Sequence, residues 1–230
     1  MKSAQKESDA ILIHARKFQE TSLLCTFFTK EHGKISVVAK GARRKKSKFQ
    51  SITVPGGIFS VTFSGKNDLK TLISCESIKT IDIKGQNLKI YLYLNEIILK
   101  TLESEEPMIT IFDNLISIFE YLNASEDKDA IELKLRHFEY ELISELGYGF
   151  NIKEDVNGNT IEKSLAYSFN PQLGFLKEEE NNNNITGKDL INYCQNIFDD
   201  PKTRSTIKFI MRASLENIIE KPLVSKEIFK

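Results

Sequence analysis

The chain has 230 residues, 40% of them hydrophobic and 28% charged, with 32 Lys+Arg set against 32 Asp+Glu. That composition excludes a disordered or fibrous chain and provides for one large domain or two small ones, each with its own core. The zero net charge conceals a division: 17 basic and 7 acidic residues lie up to Ile90, leaving 15 and 25 for the rest, so a basic part suited to a polyanion precedes an acidic part with a different partner.

Cys25, Cys75 and Cys194 form no CxxC pair. Their spacing excludes a disulfide framework and a zinc site built from neighbouring cysteines, and with no secretory h-region it points to a reducing, cytoplasmic setting. No apolar run approaches the roughly 20 residues that span a bilayer.

Residues 1 to 8 are polar and are expected to fray. From Ala10 to about Cys75 short strands alternate with turns: Ala10–Ile13, Ser22–Thr29, then Lys34–Lys40 with Ile35, Val37 and Ala39 inward. After Pro55-Gly-Gly57 a fourth strand alternates Phe59, Val61 and Phe63 inward, and Thr71–Glu76 makes a fifth. Five short antiparallel strands with no long helix between them predict a Greek-key barrel, for which an OB-fold is the commonest form.

Between the third and fourth strands runs Lys40-Gly-Ala-Arg-Arg-Lys-Lys-Ser-Lys48, with six cations in nine residues and no acid. Like charges repel, so such a run persists where a polyanion neutralises it; its alternatives are a solvated loop, a membrane-surface contact or a targeting tract. The phosphate-contacting candidates are Lys40, Arg43, Arg44, Lys45, Lys46 and Lys48, joined by Arg16, Lys17 and Lys34, for which plain solvated surface is the competing reading. The charge density predicts a loop without order of its own. Phe27, Phe28, Phe49, Phe59 and Phe63 are the candidates for base stacking; strand alternation puts most of them in the core, and Phe49 ranks first because it adjoins the run.

From Leu88 the period becomes helical. Leu88, Tyr91, Leu92, Asn95, Ile98, Leu99 and Leu102 form one face; Met108, Ile111, Phe112, Leu115, Ile118, Phe119 and Leu122 form a second, with Pro107 in its first turn. A third helix from Asp129 carries Ile131, Leu135, Phe138, Leu142 and Leu146 and ends at Gly147. Asn157-Gly158 signals a hairpin, Leu165–Phe169 a short strand and Asn181–Asn184 an exposed loop. Thr186 caps a helix carrying Leu190, Ile191, Cys194 and Ile197, and Asp200-Pro201 opens another through Ile207, Ile210, Met211, Leu215 and Ile218, ended by Pro222; the tail from Ser225 reads as a last short turn. The fold class is therefore α+β and multidomain: a five-stranded OB-fold barrel over residues 1–82, then a mainly helical domain over 83–230 with a cysteine-free hairpin insertion at about 150–185.

No catalytic motif is present. Gly65-Lys66 and Gly187-Lys188 lack the upstream glycine of a phosphate-cradling loop, and His14, His32 and His137 have neither metal-ligand spacing nor a nucleophile beside them. Asp199-Asp200 reads as a helix cap. An enzyme is not expected, and neither is a metal.

Glu20-Thr-Ser-Leu23 and Phe28-Thr-Lys-Glu-His-Gly33, running into Val38-Ala-Lys-Gly-Ala-Arg43, resemble the N-terminal barrel of the RecO family of bacterial recombination mediators. Tyr93-Leu-Asn-Glu-Ile97, Arg136-His-Phe-Glu139, Leu146-Gly-Tyr-Gly149 and Lys221-Pro-Leu-Val-Ser-Lys-Glu-Ile-Phe229 are similar to its helical half, in the same order. The resemblance implies an OB-fold and a helical domain. It also implies binding of single- and double-stranded DNA, annealing of complementary strands, and loading of recombinase onto strands coated by single-strand-binding protein. Its implied partners are RecR and the acidic C-terminal tail of that coating protein, with no nucleotide cofactor and residence at the nucleoid. Similar members contact the tail with an arginine in the segment matched by Arg136; Lys208 and Arg212 are further candidates, and an ion pair of Arg136 with Glu132 or Glu139 is the competing reading. Many members carry a four-cysteine zinc site after the Leu-Gly-Tyr-Gly segment. Here residues 150–176 contain no cysteine, so zinc is not expected, and a hairpin held by Ile152, Val156, Ile161 and Leu165 is expected instead. An RNA-binding OB-fold protein, or a basic-loop adaptor without annealing activity, is the alternative function.

Overall fold

The computed structural model describes residues 4–53, 56–178 and 185–225, so Pro55, the Asn181–Asn184 tract and the tail beyond Ser225 lie outside the described residues. The chain forms two compact units, residues 1–124 with 223–230, and residues 125–222, in an α+β arrangement.

In the first unit, β1 (Gln5–Phe18), β2 (Ser22–Thr29), β3 (Gly33–Ala39), β4 (Gly57–Ser64) and β5 (Leu69–Thr80) close into a barrel in the order β1-β2-β3-β5-β4. Strand β1 serves two neighbours: Gln5–Ile11 pair with Ser64–Ile58 of β4, and Ala10–Phe18 pair with Thr29–Ser22 of β2, with a bulge between Leu12 and His14 that bends it from one to the other. The polar residues from Gln5 onward are therefore strand, not a frayed end, because the ladder is made by backbone groups and needs no apolar side chain on its wet face. The barrel closes through a parallel pairing of Ser36, Val37 and Val38 with Leu69, Lys70 and Thr71.

Phe27 points into the barrel and meets Phe59 edge-on at 6.1 Å, whereas its neighbour Phe28, equally buried, packs edge-on against Phe112 at 5.4 Å. Phe112 belongs to α2 (Ile109–Ala124), which follows α1 (Asn87–Thr101), so β2 is apolar on both faces because one fills the barrel and the other is covered by a helix. The predicted face of α2 is the buried one; on α1, Tyr91, Asn95, Ile98 and Leu102 are buried as expected, but Leu92 is exposed and Tyr93, Leu94 and Ile97 are buried beside them, so the buried face is wider and shifted. Pro107 lies outside α2, whose first helical bond runs from the Phe112 amide to the Met108 carbonyl. The Asn87 amide donates to the Leu122 carbonyl at 2.7 Å, joining the start of α1 to the end of α2.

The loop between α1 and α2 docks on the barrel edge. The Glu105 amide donates to the Lys34 carbonyl at 2.9 Å, and the Glu105 carboxylate takes the ammonium of Lys70, a residue 3% exposed, at 2.5 Å. Gly33, at φ 64°, admits this loop, because a Cβ there would fall inside the Glu106 backbone.

The second unit holds α3 (Lys128–Ile143), α4 (Gly187–Cys194), α5 (Pro201–Ile218) and a small sheet of β6 (Ala166–Asn170), β7 (Gly174–Lys177) and β8 (Ile185–Thr186), ordered β7-β6-β8. Asp127 caps α3 through the amides of Asp129 and Ala130, and Gly147 at φ 84° turns the chain after its last residues. Asp200 caps α5 through the Lys202 amide, with Pro201 opening the helix as expected. Helix α4 stops at Cys194, short of Ile197, and both of those side chains are exposed because Leu190 and Tyr193 make the buried face. Helix α5 ends at Ile218, ahead of Pro222.

Candidate nucleic-acid interface

The strand register decides where the cations meet. Arg16 pairs with Leu24 and Lys17 with Leu23, and those two residues pair in turn with Val38 and Ala39, so the rows from β1 to β3 end where Lys40 begins. The basic run therefore leaves the barrel at the same end as Arg16 and Lys17. All of Arg16, Lys17, Lys40, Arg43, Arg44, Lys45, Lys46 and Lys48 are exposed there.

The run is not the unordered loop that its charge density predicts. Its backbone is a chain of turns, with the Ala42 amide on the Ala39 carbonyl, Arg44 on Gly41 and Ser47 on Arg44, and Gly41 at φ 72° makes the first of them possible. Ala42, Phe49 and Ile52 anchor both ends in the barrel core at 9%, 2% and 0% exposure. The Arg43 amide donates to the Thr21 carbonyl, and its guanidinium reaches the carbonyls of Glu20 at 2.9 Å and Gln19 at 3.4 Å, pinning the run to the β1–β2 turn. Lys48 donates to the Ile73 carbonyl at 2.5 Å and sits 5.1 Å over the Phe49 ring. Burial of three apolar side chains supplies the order that the charges oppose.

Two expectations change here. Lys34 is half-buried, and its ammonium donates to the Leu99 carbonyl at 2.7 Å, with burial lowering its pKa; it braces α1 against β3 rather than facing the solvent. None of Phe27, Phe28, Phe49, Phe59 and Phe63 is more than 2% exposed, so none offers a ring to a base; Phe49 plugs the barrel beneath the run that made it the leading candidate. The barrel phenylalanine passed over in the sequence is Phe18, half-buried at the last position of β1; its place directly after Arg16-Lys17 was the available signal.

In the second unit, Arg136 is not free at the surface. It is 5% exposed and donates to the Glu139 carboxylate, itself 0% exposed, at 2.6 Å, with Glu132 at 3.8 Å. Lys208 and Arg212 lie half-buried on α5, and the Lys208 pKa is lowered by burial and by the charges of Arg212 and Arg136, against Glu132 and Glu139. The three arginine and lysine candidates are thus brought together by α3 and α5. Along α5, Ser205, Lys208, Phe209, Arg212, Ala213 and Glu216 share one open face of the helix, and the Phe209 ring is 57% exposed.

The cysteine-free segment that follows Gly149 is built without thiolate ligands. The Asp155 carboxylate accepts the amides of Asn157 and Asn159, each at 2.9 Å, and the Asn159 side chain, closing a tight loop with Gly158 at φ 79°. Phe150, Phe169 and Phe175 pack ring against ring beside it, with centroids 4.9 to 5.8 Å apart. With no thiolate and with its carboxylate already saturated by N–H donors, this segment does not fit zinc. Ile152 and Ile161 are buried as expected and Leu165 is half-buried, but Val156 is 42% exposed, since the Asp155 hydrogen bonds hold the loop without it. Among the described residues no cluster of three or more His, Cys, Asp or Glu side chains is placed to hold a metal ion, and no helix is long and apolar enough to cross a membrane.

Residues 1–81 match the family model described as Recombination protein O N terminal, and residues 85–227 match Recombination protein O C terminal. The chain is 34% identical over 224 residues to a protein named DNA repair protein RecO from Actinobacillus pleuropneumoniae serotype 5b, covering 95% of this chain and 92% of that one. It is 33% identical over 223 residues to the DNA repair protein RecO of Haemophilus influenzae strain PittGG, covering 95% and 93%. Matched along almost its whole length by both halves of the family, the chain belongs to the RecO family of DNA repair and recombination proteins.

Proposed function

We propose that the barrel is an OB-fold that binds single- and double-stranded DNA through its basic end, and that the protein anneals complementary strands and helps load recombinase onto DNA coated by single-strand-binding protein. The observation that carries this reading is the convergence of Arg16 and Lys17 with the Lys40–Lys48 run at one end of a closed barrel. The strand order β1-β2-β3-β5-β4 supports the OB-fold assignment, and the division of labour follows residues 1–82 for DNA and 83–230 for partners.

Annealing requires two polyanions to approach with their pairing edges open. Cations on an anchored loop screen the phosphates, and with the five core phenylalanines buried no groove of stacking rings masks the bases. The exposed face of α5 joins Lys208 and Arg212 to the Phe209 ring, with Glu216 at its edge; cations beside an apolar ring are the chemistry that an acidic tail ending in a hydrophobic residue requires, so Lys208, Arg212 and Phe209 are its proposed receptor, with Arg136 holding Glu139 on α3. RecR is the second partner in this reading. The role is stoichiometric, not catalytic, and is carried out at the nucleoid.

The test is annealing of complementary oligonucleotides, with and without single-strand-binding protein, by the native chain and by a variant with Arg43, Arg44, Lys45, Lys46 and Lys48 all changed to alanine. Salt-sensitive annealing that the variant loses supports the reading. Tight binding to matched RNA but not DNA, or to anionic liposomes in preference to either, would replace it.

A further inference from the structure

We infer that Phe18 stacks on a base of single-stranded DNA at the basic end of the barrel, an inference that rests on reading that end as a DNA-binding surface. The six phenylalanines of residues 4–80 are the only Phe, Tyr or Trp side chains there, and five of them are at most 2% exposed; Phe18 alone is half-buried. It stands opposite Ser22, one position beyond the row Lys17–Leu23–Ala39 that leads into Lys40. The next residue, Gln19, has φ 51°, so the chain turns sharply directly after the ring. The Arg43 guanidinium is fastened to the carbonyls of Gln19 and Glu20, which brings the basic run against that turn.

The ring thus has Arg16 and Lys17 before it in β1 and Arg43 on the turn that follows it, where Glu20 is an exposed carboxylate. Phosphates held by those cations deliver an unpaired base to the ring face. A duplex, whose bases are stacked on one another, presents only phosphate. One stacking residue fixes a strand without covering its neighbouring bases, which is compatible with annealing.

The chain contains no tryptophan, so Phe18→Trp introduces a single fluorescent reporter at this position. Its emission is expected to be quenched by a single-stranded oligothymidylate and not by a duplex or by an abasic strand of equal length. The native protein is expected to bind the abasic strand about tenfold more weakly than the base-bearing one, a gap that Phe18→Leu removes without lowering affinity for the abasic strand. Equal affinity of the native protein for both strands, together with an unquenched tryptophan, would overturn the assignment of Phe18 while leaving the DNA surface intact. Failure of the native protein to bind either strand would overturn both.

Discussion

The Glu96 carboxylate in α1 accepts the backbone amide of Ser225 at 2.8 Å, a contact across 129 positions of sequence, and its other oxygen accepts Val224 at the same distance. The Lys100 ammonium joins it at 2.7 Å. Val224 and Ser225 are thereby returned to the first unit, although residues 125–222 intervene.

Burial alone would raise the Glu96 pKa, but the Lys100 ammonium and the donors of Val224 and Ser225 hold it down at about 2. A depressed carboxylate contributes stability that is present above its unfolded pKa of about 4.5 and is lost as the pH falls toward 2. Glu96→Gln is expected to cost about 2 kcal/mol at pH 7, with the gap from the native chain closing between about pH 4.5 and pH 2 in urea unfolding series.

Gly33→Ala places a methyl group against the Glu106 backbone at a left-handed φ. It is expected to cost about 2 to 4 kcal/mol, by strain and by ejection of the α1–α2 loop from the barrel edge. Thermal unfolding measures the loss, and hydrogen exchange at the Glu105 amide, which is bonded to Lys34, locates it.

Arg136→Ala leaves Glu139 buried without its guanidinium and is expected to cost about 3 to 5 kcal/mol of stability. Lys208→Ala and Arg212→Ala, at half-buried positions, are expected to leave unfolding within about 1 kcal/mol of native while lowering affinity for an acidic tail peptide by about tenfold each. Calorimetric titration that shows unchanged peptide affinity in both would remove this face of α5 as the receptor.

If about five residues of the basic run meet single-stranded DNA, the slope of log affinity against log salt is about −3.5. Lys34→Ala is expected to leave that slope unchanged and to lower the melting temperature, because its ammonium serves the Leu99 carbonyl. A slope shallower by about 0.7 would return Lys34 to the phosphate contacts.

The Asp155 loop is closed by its own N–H donors and packs beside the Phe150, Phe169 and Phe175 cluster, so a chelator is expected to leave the melting temperature unchanged and elemental analysis to find no zinc. One equivalent of zinc in the purified protein would contradict this.

Strands β3 and β4 are legible from alternation, and α2 from its apolar face, because each buries one side against a neighbour and the period records it. The start of β1, Gln5–Asp9, is not, since its pairing with β4 uses backbone groups and Ser8 is the one side chain of that stretch that is buried. Strands β7 and β8, of four and two residues, are shorter than any period can mark. The basic run is plain in the sequence, yet the same reading offered Phe49 as its stacking ring and missed Phe18, because alternation does not reveal which ring plugs a barrel end.

By itself, then, the sequence determined the order of strands and helices, the concentration of cations after β3, and the family. Composition and periodicity are local properties, and a chain carries them before it folds. Tertiary structure alone decided which charges are engaged: Lys34 is drawn to Leu99 and Lys70 to Glu105, while Arg16 and Lys17 are brought by strand register beside Lys40. The reason is physical: a cation's role depends on which carbonyl or carboxylate the fold sets within reach of it, and those partners lie 35 and 65 residues away along the chain.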